Sequence, residues 1–397
     1  MRIAYLALYQ GPELLKRRPI VLNRSLANSI KIELIAGLLR ANSCQVEILS
    51  QGEVVEPRWN IYPSFREPKS FHPDVPIAYS SALPVRRLNA LWSSLSLLRL
   101  FRARHRAAPF DLAIIHNLKH PQLTCAKYAV HALGIPVLLE YEDDAFVRIN
   151  GAVSRHSFGY QRYAMRVLNE VSGGMACSPR LLSQLPPGVP KLLLRGVVGA
   201  DLVACRQEGR SRKQQWVLFC GTHSKQYGLH SLITAWGKAA PLGWELHITG
   251  DGPQSAELRK VAGNHPTIRF HGLVGRPELV GLICSASICI NAHEISQTPG
   301  NVFAFKVIEY LAAGAHVIST PMGTLERDIE RGITYMPDNH ADTIAATVKQ
   351  VITARQWERT AAEAAIQAYG PAAVSRSLEV LIGQALAGRA ARGGLAR

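Results

Sequence analysis

Residues 303–320 read FAFKVIEYLAAGAHVIST, an apolar run that carries Lys306 three positions before Glu309, closes on Gly314 and passes into AHVIST. The apolar spacing predicts a helix, Gly314 its C-terminal cap, and the last six residues a buried strand. A helix that begins near Asn301 to Phe303 turns its free first-turn amides and the positive end of its dipole toward an anion, and Lys306 adds a full charge there. Glu309 lies on the same face with a carboxylate that can only accept hydrogen bonds. The plainer alternative is an exposed i,i+3 ion pair.

Working outward, WVLFCG, WELHITG, TIRFHG, ASICIN and AHVIST predict five strands, alternating with helices near 228–239, 254–263, 277–286 and 303–313. Further helices are expected near 341–354, 356–368 and 372–388, before the basic tail GRAARGGLAR, which is expected to be mobile. The first half opens on the strand RIAYLALY, continues with a helix over 25–40 and the strand CQVEILS, and later shows FDLAIIHN, IPVLLEYED and GGMACSP as strand-like runs. Alternation of this kind builds doubly wound parallel sheets. Residues 53–84 hold six prolines and little periodicity, which predicts a long functional loop.

The chain has 397 residues, more than one core usually serves, so two domains are expected: 1–205 and 206–370, with 371–397 as a C-terminal helix able to cross back to the first domain, then the tail. With 47% hydrophobic and 19% charged residues it is ordinary globular material. No apolar run is long enough to span a membrane or to form a signal-peptide core, so a cytoplasmic protein is expected. Seven scattered cysteines without a Cys-x-x-Cys pair argue for reduced thiols, Cys284 and Cys289 as small core residues.

The formal charge is +16, unevenly spread: residues 1–200 carry 25 Lys and Arg against 13 Asp and Glu, residues 201–397 carry 20 against 16. Such a field attracts an anion: a phosphorylated substrate, an anionic membrane or nucleic acid. The run 84–106 sets Leu88, Leu91, Trp92, Leu95, Leu98 and Phe101 at helical spacing beside Arg86, Arg87, Arg99, Arg102, Arg104 and Arg106, an amphipathic basic helix suited to a membrane surface or, on the alternative reading, packed on its own sheet. Nucleic acid is not expected, because the basic segments lack interleaved aromatics.

The second half resembles the retaining, GT-B-fold, nucleotide-sugar-dependent glycosyltransferases of the family four grouping. The likeness runs through FCGT (219–222), LITAW (232–236), LHITGDGP (246–253), IRFHGLV (268–274), ICINAHE (288–294) and the opening stretch. It implies an α/β, GT-B architecture, two doubly wound Rossmann-like domains facing across a cleft, with the donor on the C-terminal one and the acceptor on the N-terminal one. It also implies transfer of a sugar from a nucleoside diphosphate sugar with retention, no cofactor and no metal. In the family a glutamate at the position of Glu309 holds the ribose, and a first glutamate eight positions earlier meets the sugar. That earlier position is Asn301 here, which passes the sugar-facing role to His293 or Glu294.

The family's arginine and lysine in the loop after the first strand correspond to Thr222 and Tyr227, so Lys225, two residues displaced, is the loop's candidate for the diphosphate. Leu273 and Val274 fall where the family meets the nucleobase. TGDGP is a glycine turn whose simpler role is strand–helix packing. In the first half Glu142 replaces a histidine that touches the donor sugar in many relatives. With Asp143, Asp144 and His116 it ends buried strands, as a catalytic group, a metal site or solvated acids.

The expected setting is assembly of a cell envelope or exopolysaccharide on a carbohydrate or lipid-linked acceptor, peripherally at the inner face of the membrane. Rival readings are a GT-B-like protein that binds nucleotide sugars without turnover, and a Rossmann-type epimerase or dehydrogenase. The last lacks a Gly-x-Gly-x-x-Gly after its first strand.

Overall fold

The computed structural model describes residues 1–18, 26–52, 60–67, 75–85, 88–144, 146, 158–207, 213–239, 241–294, 303–323, 325–354 and 360–394. The chain divides into two compact units, residues 1–195 with 374–397, and residues 196–373. The division falls ten residues before the expected 205/206 boundary, because the helix Ala200–Gln207 packs on helices Arg276–Ser285 and Phe305–Ala312 of the second unit.

The first unit is built on strands β1 (Arg2–Leu6), β2 (Gln45–Ser50), β3 (Phe65–Glu67), β4 (Ile77–Tyr79), β5 (Leu112–His116), β6 (Val137–Tyr141), β7 (Gly173–Ala176) and β8 (Lys191–Leu193). They form one sheet in the order β3-β4-β2-β1-β5-β6-β7-β8, parallel except for β3. β5 and β6 are buried along their whole length, which is why they read as continuous apolar runs. The expectation of a long loop over 53–84 is corrected: its described part contributes β3, β4 and the Tyr62–Ala82 bridge. The buried Arg18 guanidinium holds this extension by donating to the carbonyls of Gln51, Pro63 and Ser80. The final helix, Pro371–Gly394, reaches this unit, where Ser375 bonds Asn42.

The second unit carries β9 (Gln214–Cys220), β10 (Glu245–Thr249), β11 (Ile268–Gly272), β12 (Ala286–Asn291), β13 (His316–Ser319) and β14 (Ile333–Tyr335), all parallel in the order β11-β10-β9-β12-β13-β14. The first five are the five expected from sequence; β14 was too short to announce itself. One face of the sheet packs Val217, Phe219, Leu246, Ile248 and Ile288 against Leu232, Trp236, Ile344 and Val348 of helices Leu229–Ala239 and Ala341–Ala354. Burying each of the larger side chains contributes about 1.5–3 kcal/mol. All seven cysteines are free, and Cys284 and Cys289 are buried in this unit.

The opening stretch forms the helix Phe305–Ala312 and then β13. Gly314 adopts φ +76°, the left-handed cap that lets the chain leave the helix, with its N–H donating to Leu311 O at 2.8 Å.

Candidate functional site

In the second unit, the loops that follow β9, β10 and β12 meet at the carboxyl ends of the strands, where open parallel sheets hold ligands. The two glycine turns stack backbone on backbone. Gly250 sits at φ +127°, and a Cβ there would overlap the Gly221 carbonyl. TGDGP therefore serves packing: Gly221 N donates to Thr249 O at 3.1 Å and His223 N to Asp251 O at 3.1 Å. Gly250 N and the Thr249 hydroxyl both donate to Gly272 O, at 2.8 and 2.9 Å, and so hold the turn before exposed Leu273 and half-buried Val274.

Lys306, in the first turn of its helix, extends its ammonium to the end of β9. There it donates to Cys220 O at 3.1 Å and lies 4.7 and 5.7 Å from the ring centroids of Phe219 and Tyr227. Tyr310, one turn on, accepts from Cys220 N at 3.2 Å, so two side chains of one helix face fasten it to β9. Among the described residues no carboxylate pairs with Lys306, and burial pushes its pKa down to about 8.

Glu309 takes a different course. It is buried, and Arg276 donates to its Oε1 at 2.6 Å while gripping Asp201 through two further nitrogens. The alternative reading of Lys306 and Glu309 as an exposed i,i+3 ion pair does not hold, because each residue finds a partner off the helix. Burial pushes the Glu309 carboxyl up, against the pull of Arg276.

The remaining candidates in this unit line up around these two. Lys225 is exposed on a short 3-10 turn, Lys225–Tyr227, and Thr222 is half-buried beside Gly221. Glu294 N donates to Gln226 O at 2.7 Å and the His293 ring meets Tyr227 edge-on, which ties the loop after β12 to the loop after β9. Asn301 lies outside the described residues.

In the first unit, Glu142, Asp143 and His116 do come together, at the ends of β5 and β6. Asn117 organises them from φ +60°, a left-handed backbone that asparagine tolerates. Its amide oxygen accepts from the N–H groups of Glu142 and Asp143 at 2.8 and 2.9 Å, and its amide nitrogen donates to the Asp143 carboxylate at 2.9 Å. The three acids diverge: Glu142 pairs with Lys31 of helix Leu26–Ala41, Asp143 binds Asn117, and Asp144 faces Arg180 and Gln184. Buried His116 is held neutral, its pKa lowered to about 4 by burial.

The expected basic helix spans Asn89–Ala107. Ser93, Ser94, Leu97 and Phe101 face inward, and Leu91 and Leu95 are 60% and 56% exposed, in line with exposed Arg99, Arg102 and Arg106. Arg104 is not on that face; it forks onto Glu47 at 2.7 and 3.1 Å, which Arg2 also binds. Arg86 and Arg87 lie outside the described residues. Among the described residues no helix is long and apolar enough to cross a membrane.

Arg276, Asp201, Lys31 and Asn117 were missed from sequence. Arg276 left a trace: a cation in the first turn of a helix opposes the dipole and calls for an acid nearby. Lys31 left another, a charge inside the apolar run IKIELIAGLL.

Residues 214–354 match the family model Glycosyl transferases group 1. Among curated proteins none matches the sequence. The fold is that of solved GT-B structures: sucrose-phosphate synthase from Thermosynechococcus elongatus superposes with a TM-score of 0.67 at 16% identity, covering 98% of this chain and 99% of that one. Anabaena HepE in complex with UDP-glucose gives 0.62 at 14%, over 96% and 99%. A glycosyltransferase from Rickettsia africae gives 0.63 at 13%, over 96% and 97%.

Proposed function

We propose that this chain, a GT-B-fold glycosyltransferase whose residues 214–354 form a group 1 glycosyl transferase domain, moves a sugar from a nucleoside diphosphate sugar to a carbohydrate or lipid-linked acceptor with retention and without a metal. The observation that carries this reading is the Lys306 ammonium, partly buried beside the glycine turns of β9 and β10 with no carboxylate among the described residues to neutralise it. A cation in that state suits a diphosphate whose charge grows as it leaves, and such a contact contributes on the order of 3 kcal/mol, about a hundredfold in rate. Position 227, where the resemblance implies a lysine, holds a tyrosine whose ring faces Lys306, so the helix supplies a charge beside the position that the loop leaves neutral.

The second unit takes the donor and the first the acceptor. Glu309 offers Oε2 to the ribose, Leu273 and Val274 the nucleobase wall, and Thr222, Lys225, Asn301 and Glu294 the surroundings of the diphosphate and sugar. Glu142, paired with Lys31, and Asp143 present carboxylates for acceptor hydroxyls; His116, buried and neutral, supports them rather than moving a proton. Helix Asn89–Ala107 rests on an anionic membrane at the inner face, in envelope or exopolysaccharide assembly.

HepE binds UDP-glucose, which makes UDP the first probe. A ligand at a hundredfold excess over Kd stabilises by ~2.7 kcal/mol, so a thermal-shift screen of UDP, GDP, ADP and their sugars identifies the donor. Turnover of that donor in EDTA then tests the chemistry. Activity restored only by Mg²⁺ or Mn²⁺ overturns metal independence, and a screen with no shift removes the donor assignment.

A further inference from the structure

The helix Arg276–Ser285 begins with an arginine, where the helix dipole disfavours a cation. The guanidinium is nonetheless largely buried, and it is shared between two carboxylates from distant parts of the second unit. Nε and Nη2 fork onto Asp201 at 2.7 and 3.0 Å, and Nη1 reaches Glu309 Oε1 at 2.6 Å. A planar fork of this kind sets direction as well as charge, which a lysine would not do. Glu309 Oε1 is thereby occupied, and Oε2 receives no hydrogen bond from the described residues. One arginine between two carboxylates leaves a net negative charge, which is what a group that accepts from hydroxyls requires.

We propose that Arg276 is the positioning residue of the ribose site: it fixes Glu309 in the rotamer that presents Oε2 to the ribose hydroxyls, and Asp201 locks Arg276 in place. This rests on the reading of Glu309 as the ribose acceptor. Burial alone would drive Glu309 toward its protonated form, which accepts less well; Arg276 counters that drift. Asp201 and Glu309 in turn outweigh the cost of burying Arg276 and raise its pKa.

The test is isothermal titration of the full chain with UDP, GDP and ADP, each against its 2′-deoxy form. For the nucleotide that binds, the parent should prefer the ribo form about tenfold, the worth of one hydrogen bond to a carboxylate. Arg276→Gln should reduce that preference to about twofold while the affinity for the 2′-deoxy form changes less than about threefold, a split that general loss of structure would not give. Asp201→Asn should show a smaller loss, and Arg276→Lys should recover part of the preference. Should Arg276→Gln fail to fold, Arg276→Lys and Asp201→Asn decide by the same ratio; parental ratios in both overturn the assignment. A preference lost in Glu309→Gln but intact in Arg276→Gln overturns Arg276 alone. A parent with no preference overturns both readings.

Discussion

Two lysines, one in each unit, stand at the carboxyl ends of parallel strands and meet opposite fates. Lys31 is buried against Glu142, with Glu140 and Cys177 close by; burial works against its charge, yet these groups outweigh it and its pKa is raised. Among the described residues Lys306 has the Cys220 carbonyl and two aromatic faces but no carboxylate, and its pKa falls to about 8. The first lysine is already neutralised by the protein; the second has no carboxylate among the described residues, which is why it is proposed to meet the diphosphate. Net charge therefore says little about where an anion binds. What decides is whether a cation has been given a carboxylate.

The largest effect expected from breaking this contrast is on stability. Lys31→Met or Glu142→Gln leaves a buried charge alone and should cost about 3 kcal/mol in urea unfolding, the double variant less than the sum of the two. Lys306→Met should behave in the reverse way, leaving the unliganded protein at least as stable while turnover falls about a hundredfold. Equal stability losses at both lysines would dissolve the distinction.

The pH dependence sharpens it further. The folded pKa of Lys306 lies below its unfolded value of 10.5, so the unfolded chain binds more protons between about 8 and 10.5, and the stability of the unliganded protein should rise with pH across that window. Diphosphate affinity should fall over the same range, by up to about tenfold per pH unit, and stay flat in Lys306→Met. Nucleotide titrations from pH 7 to 9.5 measure this.

The smallest effects concern arginines. Arg99, Arg102 and Arg106 lie beside exposed leucines, and replacing each by Gln should weaken sedimentation with anionic vesicles by ~1 kcal/mol, less at high salt. Arg104→Gln, already committed to Glu47, should lower stability and leave vesicle binding alone. Vesicle binding that ignores all four removes the membrane from this helix.

Five strands of the second unit were legible because its sheet is parallel and its central strands are buried: WVLFCG, WELHITG and TIRFHG each close on a glycine, ASICIN and AHVIST are apolar-rich runs, and the helices between them keep their period. Its site was legible in part. Spacing correctly placed Lys306 and Glu309 on one helix, but i,i+3 proximity is worth only tenths of a kcal/mol, and partners from 33 and 86 positions away displaced it. Residues 53–84 misled because prolines suppress the periodicity of strands as short as three residues. Asn117 gave no signal, since a left-handed asparagine after a strand looks like any polar turn.

The burial of Lys306 also makes it a chemical handle. At pH 8 about half of an amine with a pKa near 8 is unprotonated, against roughly 0.3% for an ordinary lysine at 10.5. The free base is the nucleophile, so among the chain's lysine side chains this one should be acylated or reductively alkylated first. An aldehyde that also carries a phosphate would be drawn to it twice over, by charge and by reactivity. A bound nucleoside diphosphate should slow that labelling by occupying the place and by returning the proton, and the modified peptide then reports donor-site occupancy without any knowledge of the acceptor.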